Sequence, residues 1–313
     1  MFKPTKITIN LIIVSINKAN FENSTFGREI LNKMIKNALK RLVYLYLNGS
    51  VHVAVAVFAL VQMTFYFSKI PFDPIVSLLA FSGTLFSYNF IKYADVVYRN
   101  RNRLSDDMKW VIGISVIAMI TGVICFFMLE PLTQLVTIGF LLLSVLYAIP
   151  INPKIPNLRN WAGVKIYIVS LCWAGVSLIL PIVNAGVDMT FDIGIKFIQR
   201  FLLVLILILI FEIVDLQFDD KRLKTVPQTL GIEKTKKLIL LLLIPFYVLE
   251  FFKVGFESIQ AWNNLVIVTL VWYFTREASP EKSKYFTLFW VESVPIIWWL
   301  LVVGENWLAV LLQ

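Results

Sequence analysis

Long apolar runs alternate with short polar segments along most of this chain. Each run is close to the roughly 20 residues that a helix needs to cross about 30 Å of hydrocarbon. Helices are required there because lipid offers the backbone no hydrogen-bond partner. We therefore expect an all-α polytopic membrane protein embedded in a lipid bilayer. The predicted spans, about nine in number, cover residues 50–68, 73–91, 109–128, 131–149, 163–183, 196–214, 236–254, 261–275 and 285–304.

The charges between these spans predict an orientation. The loops after the second, fourth, sixth and eighth predicted spans are rich in lysine and arginine, whereas the alternate loops carry few basic residues, such as Lys69, with Lys196 and Lys253 near their span ends. The positive-inside rule places basic loops in the cytoplasm. We therefore expect an integral protein of the plasma (inner) membrane with a cytoplasmic N-terminus and an external C-terminus.

Composition agrees with a membrane protein and removes several function classes. Hydrophobic residues make up 58% of the chain and charged residues 16%, against about 45–50% and 25% in soluble domains. The net charge of +9 is explained by the basic loops, so no nucleic-acid partner is expected. His52 is the single histidine, which excludes histidine metal sites and Ser-His-Asp triads, and we interpret it as structural.

The N-terminal region differs from the rest in its mixture of polar and short apolar segments. Residues 1–40 are expected to form a cytoplasmic extension, and a start at Met34 would make most of it a start-site artefact. It shows no long apolar core followed by a small-residue cleavage site, so a signal peptide is not expected. Residues 41–313 are expected to form a single transmembrane domain.

Three acids end the sixth predicted span. On a helix, which turns about 100° per residue, Asp215 and Asp219 share a face, and Glu212 lies within about 60° of them. Like charges at this spacing repel, and carboxylates near hydrocarbon lose hydration. A cation among them would remove both penalties, and oxygen ligands suit Mg²⁺. The alternative is a solvated helix end that is acidic without binding a metal.

The residues after these acids add a specific motif. Asp215-x-x-x-Asp219 is followed by a basic turn and by Thr225-x-Pro227-x-x-Leu230-Gly231. This string resembles the second aspartate motif of the UbiA superfamily of intramembrane prenyltransferases. The resemblance implies a UbiA-like bundle over residues 41–313, Mg²⁺ as cofactor, and an isoprenyl diphosphate and a lipophilic acceptor as partners. It also implies that Asp215 and Asp219 are catalytic metal ligands, with Glu212 as a third ligand.

Two further loops resemble phosphate-binding segments of that family. Tyr147 ends the fourth predicted span and is followed by prolines and then by Lys154 and Arg159, while Lys221 lies in the basic turn after the acids. The resemblance implies that these four residues contact substrate. The alternative is that the basic residues only set the orientation in the membrane.

The first aspartate motif of the family is degenerate here. Asn89 matches the asparagine of "NxxxDxxxD", but Tyr93 and Val97 occupy the two aspartate positions. Asp95 is the nearest acid, about 240° round a helix from Asn89. Asn89 remains a candidate catalytic residue.

The basic residues around this motif leave three possible outcomes. Lys92, Arg99 and Arg103 resemble the basic stretch of the family and could act with one metal ion as a substitute cationic clamp. A distorted helix end could bring Asp95 into the site. The third outcome is a site that binds without catalysing, or does neither.

The sequence leads to a first functional hypothesis and retains alternatives. The first is a divergent membrane prenyltransferase that moves an isoprenyl group from its diphosphate to a lipophilic acceptor. The second is a non-catalytic UbiA-like membrane protein that binds lipid or diphosphate. A transporter or channel is less favoured because mid-span charges are rare, with Glu292 the main exception. The acceptor, the donor chain length and the oligomeric state stay open.

Overall fold

Helices form all the regular structure in the part of the chain that the computed structural model describes, residues 25–99, 103–148, 161, 163–220 and 223–311. Two π-helical segments, Gly175–Ile179 and Phe286–Val291, are part of this structure. The helices are α1 (Thr25–Asn48), α2 (Val51–Phe67), α3 (Pro74–Arg99), α4 (Asp106–Phe127), α5 (Pro131–Ala148), α6 (Val164–Ala174), α7 (Leu180–Asn184), α8 (Phe191–Val214), α9 (Val226–Leu230), α10 (Ile232–Val248), α11 (Ser258–Glu277) and α12 (Val294–Leu311).

The long helices form a ring in chain order. Each packs against the next, and α12 closes the ring by packing against α2. In the span Phe191–Gln217, which contains α8, 67% of the residues in its apolar 18-residue stretch are buried, against 6% in α5. Burying aliphatic side chains on one element fixes its position within the bundle. The site therefore lies at the end of the most buried of the six candidate membrane spans in the described chain.

The number of membrane spans differs from the predicted nine. A helix or an unbroken helical segment lies in each predicted span, but six in the described chain are long and apolar enough to cross a membrane. A seventh is reached if α1 and α2 count as one broken span, bent by 56°. Of the remaining helices, α10 has 17 residues and α11 contains polar side chains such as Asn263 and Asn264. The count of nine is thus not confirmed, whereas the all-α membrane fold is.

A sharp bend between α1 and α2 shapes one end of the bundle. Ser50 has φ of 59°, and a Cβ on Gly49 would overlap the carbonyl oxygen of Leu45. Glycine is therefore required at position 49, because only a residue without a side chain permits this backbone approach. The domain boundary predicted at residues 40 and 41 falls inside α1 and stays a prediction.

Candidate functional site

The two aspartates lie where α8 ends. The helix stops at Val214 and continues as a 3₁₀ turn, Asp215–Gln217. The Asp219 amide donates to the carbonyl oxygen of Asp215 at 3.0 Å, so the chain completes one more helical turn. Both side chains are half-buried, and the two carboxylates act electrostatically on each other. Two like charges are therefore held together beside an apolar bundle.

Glu212 lies one turn earlier on α8 and is buried. Its Oε1 is 2.9 Å from Nζ of Lys165, and its Oε2 accepts a hydrogen bond from the Val226 amide at 3.0 Å. These contacts tie α8 to the start of α6 and to the start of α9. A metal ion would compete with Lys165 for the same carboxylate. The predicted role of Glu212 as a metal ligand stays a prediction, and its contacts favour a positioning role.

The motif after the acids folds into a tight connection between α8 and α10. The Thr225 amide donates to Oε1 of Gln228 at 3.0 Å, which satisfies one free amide at the start of α9. Pro227 lies in the first turn of α9, where a residue without N–H is tolerated. Gly231 separates α9 from α10 with φ of 82°, a conformation that favours glycine. Thr225, Pro227 and Gly231 of the motif therefore each have a structural reason.

Three lysines surround the aspartates, and we call them the cationic ring: Lys92 from α3, Lys165 from α6 and Lys284 from the segment before α12. The charges of all three act on the Asp215 carboxylate. Lys165 also lies 3.9 Å from Oδ2 of Asp219. Lysine is a flexible point charge that binds phosphate readily. Two carboxylates inside a ring of cations can hold a metal ion and a phosphorylated ligand together.

The segment that supplies Lys284 is fixed against α8. Gln217 donates to the Pro280 carbonyl at 2.6 Å, and Lys284 Nζ lies 4.1 Å from the centroid of the Phe218 ring. Lys282 donates to Glu277 at 2.8 Å, and this hydrogen bond lowers the pKa of the Glu277 carboxyl. These contacts keep the third lysine at the mouth of the site.

An apolar cavity of about 600 Å³ lies among α2 to α7. Its polar groups include Tyr88, whose hydroxyl accepts a hydrogen bond from Nε1 of Trp173 at 2.8 Å. Tyr88 precedes Lys92 by one helical turn, roughly 6 Å along α3. The cavity therefore approaches the cationic ring at one end. Its size falls in the range of small-molecule and lipid-tail sites, about 300–1,000 Å³.

Comparison with known proteins gives the fold. No family model matches the sequence, and no curated protein matches it. Two solved structures match. A UbiA homologue from Archaeoglobus fulgidus, bound to GPP and Mg²⁺, aligns with a TM-score of 0.54 and 14% identity over 83% of this chain and 98% of that chain. The apo structure of a UbiA homologue from Aeropyrum pernix K1 aligns with a TM-score of 0.59 and 14% identity over 82% and 98%.

The chain has the UbiA fold. The resemblance first found at the aspartate stretch is thereby confirmed at the level of the fold, across more than four fifths of the chain. Most of the UbiA fold is therefore present.

The first-motif residues of this UbiA fold hold the bend between α1 and α2. Tyr93 donates from its hydroxyl to the Asn48 carbonyl at 2.7 Å, and Lys92 donates to the same oxygen at 3.4 Å. Asn89 donates to the Gly49 carbonyl at 3.0 Å. We call these three α3 residues the bend clamp. The residue at the first aspartate position thus stabilises backbone instead of offering a carboxylate.

Asn89 also has one free acceptor. Its amide nitrogen donates to Ser115 Oγ at 2.9 Å as well as to the bend, while its Oδ1 is buried and accepts no hydrogen bond within the described chain. A buried acceptor without a partner is costly, so a ligand or a water is expected there. The predicted catalytic role of Asn89 is untested by these contacts.

Removing the Tyr93 hydroxyl tests the bend clamp. Tyr93→Phe is expected to lower the free energy of unfolding by about 1 kcal/mol, because the Asn48 carbonyl loses its 2.7 Å hydrogen bond. Thermal unfolding of the purified protein measures the change. Tyr98→Phe is the matched control, since Tyr98 is on the same helix and its side chain is exposed. An equal loss in both variants would contradict the clamp.

The other predicted site residues separate into three groups. Arg99 and Arg103 are exposed, and Arg99 pairs with Asp95 at 2.8 Å, about two helical turns beyond Lys92. This pairing on a regular helix turns Asp95 away from the other acids. Tyr147 is half-buried at the end of α5 and acts electrostatically on Tyr88. Three predicted substrate ligands lie outside the described residues: Lys154, Arg159 and Lys221.

The structure adds three charged residues that were not predicted as site residues. Lys165 and Lys284 complete the cationic ring, and Glu292 acts electrostatically on Lys92 and Tyr88. The sequence feature that could have identified Lys165 and Lys284 as site residues is their position beside predicted span ends. Helix ends that face the same side of a bundle converge, and that convergence is not encoded in local spacing.

The acids of this UbiA fold fit one magnesium ion better than two. Within the described residues no group of three or more Asp, Glu, His or Cys side chains is placed to hold a metal. The Asp215 carboxylate makes no hydrogen bond or ion pair with another described residue, so among those residues it is available to a metal ion. Mg²⁺ is commonly held by one or two carboxylates together with substrate phosphates. Asp215 and Asp219 meet that requirement for a single ion.

Proposed function

We propose that this protein is a divergent member of the UbiA superfamily. Its proposed activity is transfer of an isoprenyl group from an isoprenyl diphosphate to a lipophilic acceptor within the membrane. The observation that supports this most is the junction of the aspartate pair and the cationic ring with the apolar cavity of about 600 Å³. The ligand that fits such a junction has an anionic head and a long apolar tail.

The two ends of the site suit the two parts of that donor. Lys92, Lys165 and Lys284 would contact the diphosphate oxygens, and Asp215 and Asp219 would hold Mg²⁺ beside them. When bound, Mg²⁺ would neutralise negative charge that develops on the leaving diphosphate. The wall of Phe126, Phe140 and neighbouring side chains would enclose the tail and exclude water.

The proposed reaction breaks the bond between the allylic carbon and the diphosphate oxygen. The bonding electrons leave with the diphosphate, and the allylic carbon forms a new bond to a nucleophilic atom of the acceptor, which loses a proton. The cationic ring favours the charge that develops on the leaving oxygen, which is how fixed charges lower such barriers. Aromatic faces in the cavity can stabilise the allylic cation.

Binding and turnover of defined donors test the proposal. The protein, purified in lipid nanodiscs, is mixed with dimethylallyl, geranyl, farnesyl and geranylgeranyl diphosphate, with Mg²⁺ or with EDTA. We expect at least one donor to raise the melting temperature only when Mg²⁺ is present, and to release diphosphate when a lipid extract supplies acceptors. Absence of both Mg²⁺-dependent effects for every donor would refute the proposal.

Filling the cavity should change donor preference. Gly83 lines the cavity, and a Cβ at this position meets nothing within 4 Å. Gly83→Leu is expected to weaken binding of geranylgeranyl diphosphate about tenfold and of dimethylallyl diphosphate far less, because added methylenes displace the longer tail first. Gly139→Leu is the matched control, since Gly139 is equally unhindered but exposed on α5. Equal losses for both donors would contradict this placement of the tail.

One observation favours the non-catalytic alternative. The two aspartate positions of the first motif hold Tyr93 and Val97, and Tyr93 is engaged in the bend clamp. A protein of this kind would bind an isoprenyl diphosphate without transferring the prenyl group. Donor binding that is normal and Mg²⁺-dependent, with no diphosphate release for any acceptor extract, would select this alternative.

A further inference from the structure

A second polar cluster lies at the opposite end of α8 from the aspartates. Lys196, Gln199 and Arg200 face inward near the start of α8, about 22 Å along the helix from Asp215. They meet Glu250 and Lys253 at the end of α10. The cluster shares no residue with the candidate site for the diphosphate.

Both carboxylate oxygens of Glu250 accept hydrogen bonds within this cluster. Lys253 donates to both of its carboxylate oxygens at 2.6 Å. Gln199 and Asn264 donate to Oε2 at 3.0 Å and 2.8 Å. Glu250 and Lys253 are both buried, and together they form a neutral pair. The carboxylate therefore has no capacity left for a further cation.

Arg200 is 2% exposed and has no carboxylate partner in the described chain. Its Nη1 donates to Thr64 Oγ1 at 2.6 Å, to the Ser177 carbonyl at 2.8 Å and to Ser177 Oγ at 3.2 Å. Its Nε and Nη2 make no hydrogen bond with another described residue. A buried guanidinium with neutral partners alone is costly in a lipid-embedded helix.

Lys196 is the second cation of the cluster without a salt bridge. Its Nζ lies 4.3 Å from the centroid of the Phe67 ring, a cation–π contact that leaves its charge uncompensated. Asp192, one turn before it, acts on Lys196 electrostatically. However, its two oxygens accept from the Val254 and Gly255 amides at 2.8 Å and 2.9 Å.

A small cavity lies between these groups. Its volume is about 10 Å³, close to the space of one water-sized particle. Among its described lining residues are three cations, Lys196, Arg200 and Lys253, and one carboxylate, Glu250. Asp192 and Glu257 lie outside its lining and act on the lysines from a distance. The described lining residues therefore carry an excess of two positive charges.

We propose that this cavity is a binding site for one small inorganic anion of the size of chloride. The excess positive charge selects an anion over water, and the volume excludes a phosphate group or a lipid headgroup. The amide side chains of Gln260 and Asn264 also line it. The bound anion would stabilise the packing of α8 against α10 at the end opposite to the diphosphate site.

Chloride binding tests the proposal directly. Equilibrium binding of ³⁶Cl⁻ to the full chain in nanodiscs should saturate at about one ion per chain. Chloride replacing gluconate at constant ionic strength should raise the melting temperature by about 3 °C. Constant ionic strength separates specific binding from charge screening.

Two variants locate the site. Lys196→Gln removes one lining cation without touching the Arg200 hydrogen bonds, and should weaken chloride binding about tenfold or more. Lys69→Gln is the matched control, because it removes an exposed lysine near Phe67 that does not line the cavity. Its chloride affinity should equal that of the unmodified protein.

Three results would overturn the proposal. The first is the absence of saturable ³⁶Cl⁻ binding by the unmodified protein, which needs no variant to fold. The second is an equal effect of Lys196→Gln and Lys69→Gln. The third is stabilisation by vesicles of anionic phospholipid and not by chloride, which would assign the cluster to a lipid headgroup. None of these results bears on prenyl transfer.

Discussion

Replacement of Asp215 by asparagine is expected to lower Mg²⁺-dependent prenyl transfer by at least about 100-fold. The Asp215 carboxylate makes no hydrogen bond or ion pair with another described residue, and the charges of the cationic ring and of Asp219 act on it. Asparagine keeps the shape but removes the charge that attracts the metal ion. Diphosphate release measures the loss, and the Mg²⁺-dependent rise in melting temperature with a prenyl diphosphate should disappear in parallel.

Asp95→Asn is the matched control for this experiment. Asp95 is exposed and pairs with Arg99 at 2.8 Å, outside the cationic ring. Its turnover should match that of the unmodified protein. A large loss in Asp95→Asn would revive the idea that α3 distorts to bring this acid into the site. Unchanged turnover in Asp215→Asn would remove the aspartate pair from the proposed mechanism.

Replacement of Lys165 by methionine is expected to cause the largest loss of stability, about 3–5 kcal/mol. Lys165 Nζ is 2.9 Å from Glu212 Oε1, and the side chains are 18% and 4% exposed. Removal of the ammonium leaves the Glu212 carboxylate buried without its cation. Thermal or denaturant-induced unfolding of the purified protein in detergent measures the change.

A second substitution should repair much of that loss. In the double variant Lys165→Met with Glu212→Gln, the buried side chain is neutral, and its amide oxygen can still accept from the Val226 amide. Lys109→Met is the control, because Lys109 and Asp106 form an exposed pair worth about 0–1 kcal/mol. A double variant no more stable than Lys165→Met would contradict the proposed cause.

Local spacing was sufficient to predict the aspartate pair and the segment after it. Asp215 and Asp219 lie one turn apart, and Thr225, Pro227 and Gly231 determine nearby backbone. Interactions of this kind involve residues within a few positions of each other, so periodicity and turn chemistry reveal them. The long apolar runs likewise predicted the membrane helices and their chain order.

Contacts between distant segments could not be predicted in the same way. Glu212 and Lys165 are 47 positions apart, and each residue type is also stable at a solvated helix end. Their pairing depends on how α6 packs against α8. The count of nine spans is not confirmed for a related reason, because hydropathy alone does not distinguish a crossing helix from one packed inside the bundle.

The bend clamp restricts how this protein could change. A carboxylate at position 93 would face the Asn48 carbonyl oxygen that Tyr93 now satisfies, and two acceptors repel each other. The link between α3 and the bend after α1 would be weakened to the bonds from Lys92 and Asn89 before any new ligand for a cation became useful. Evolution towards a second metal pair would therefore pass through a less stable intermediate, unless compensating changes at the bend came first.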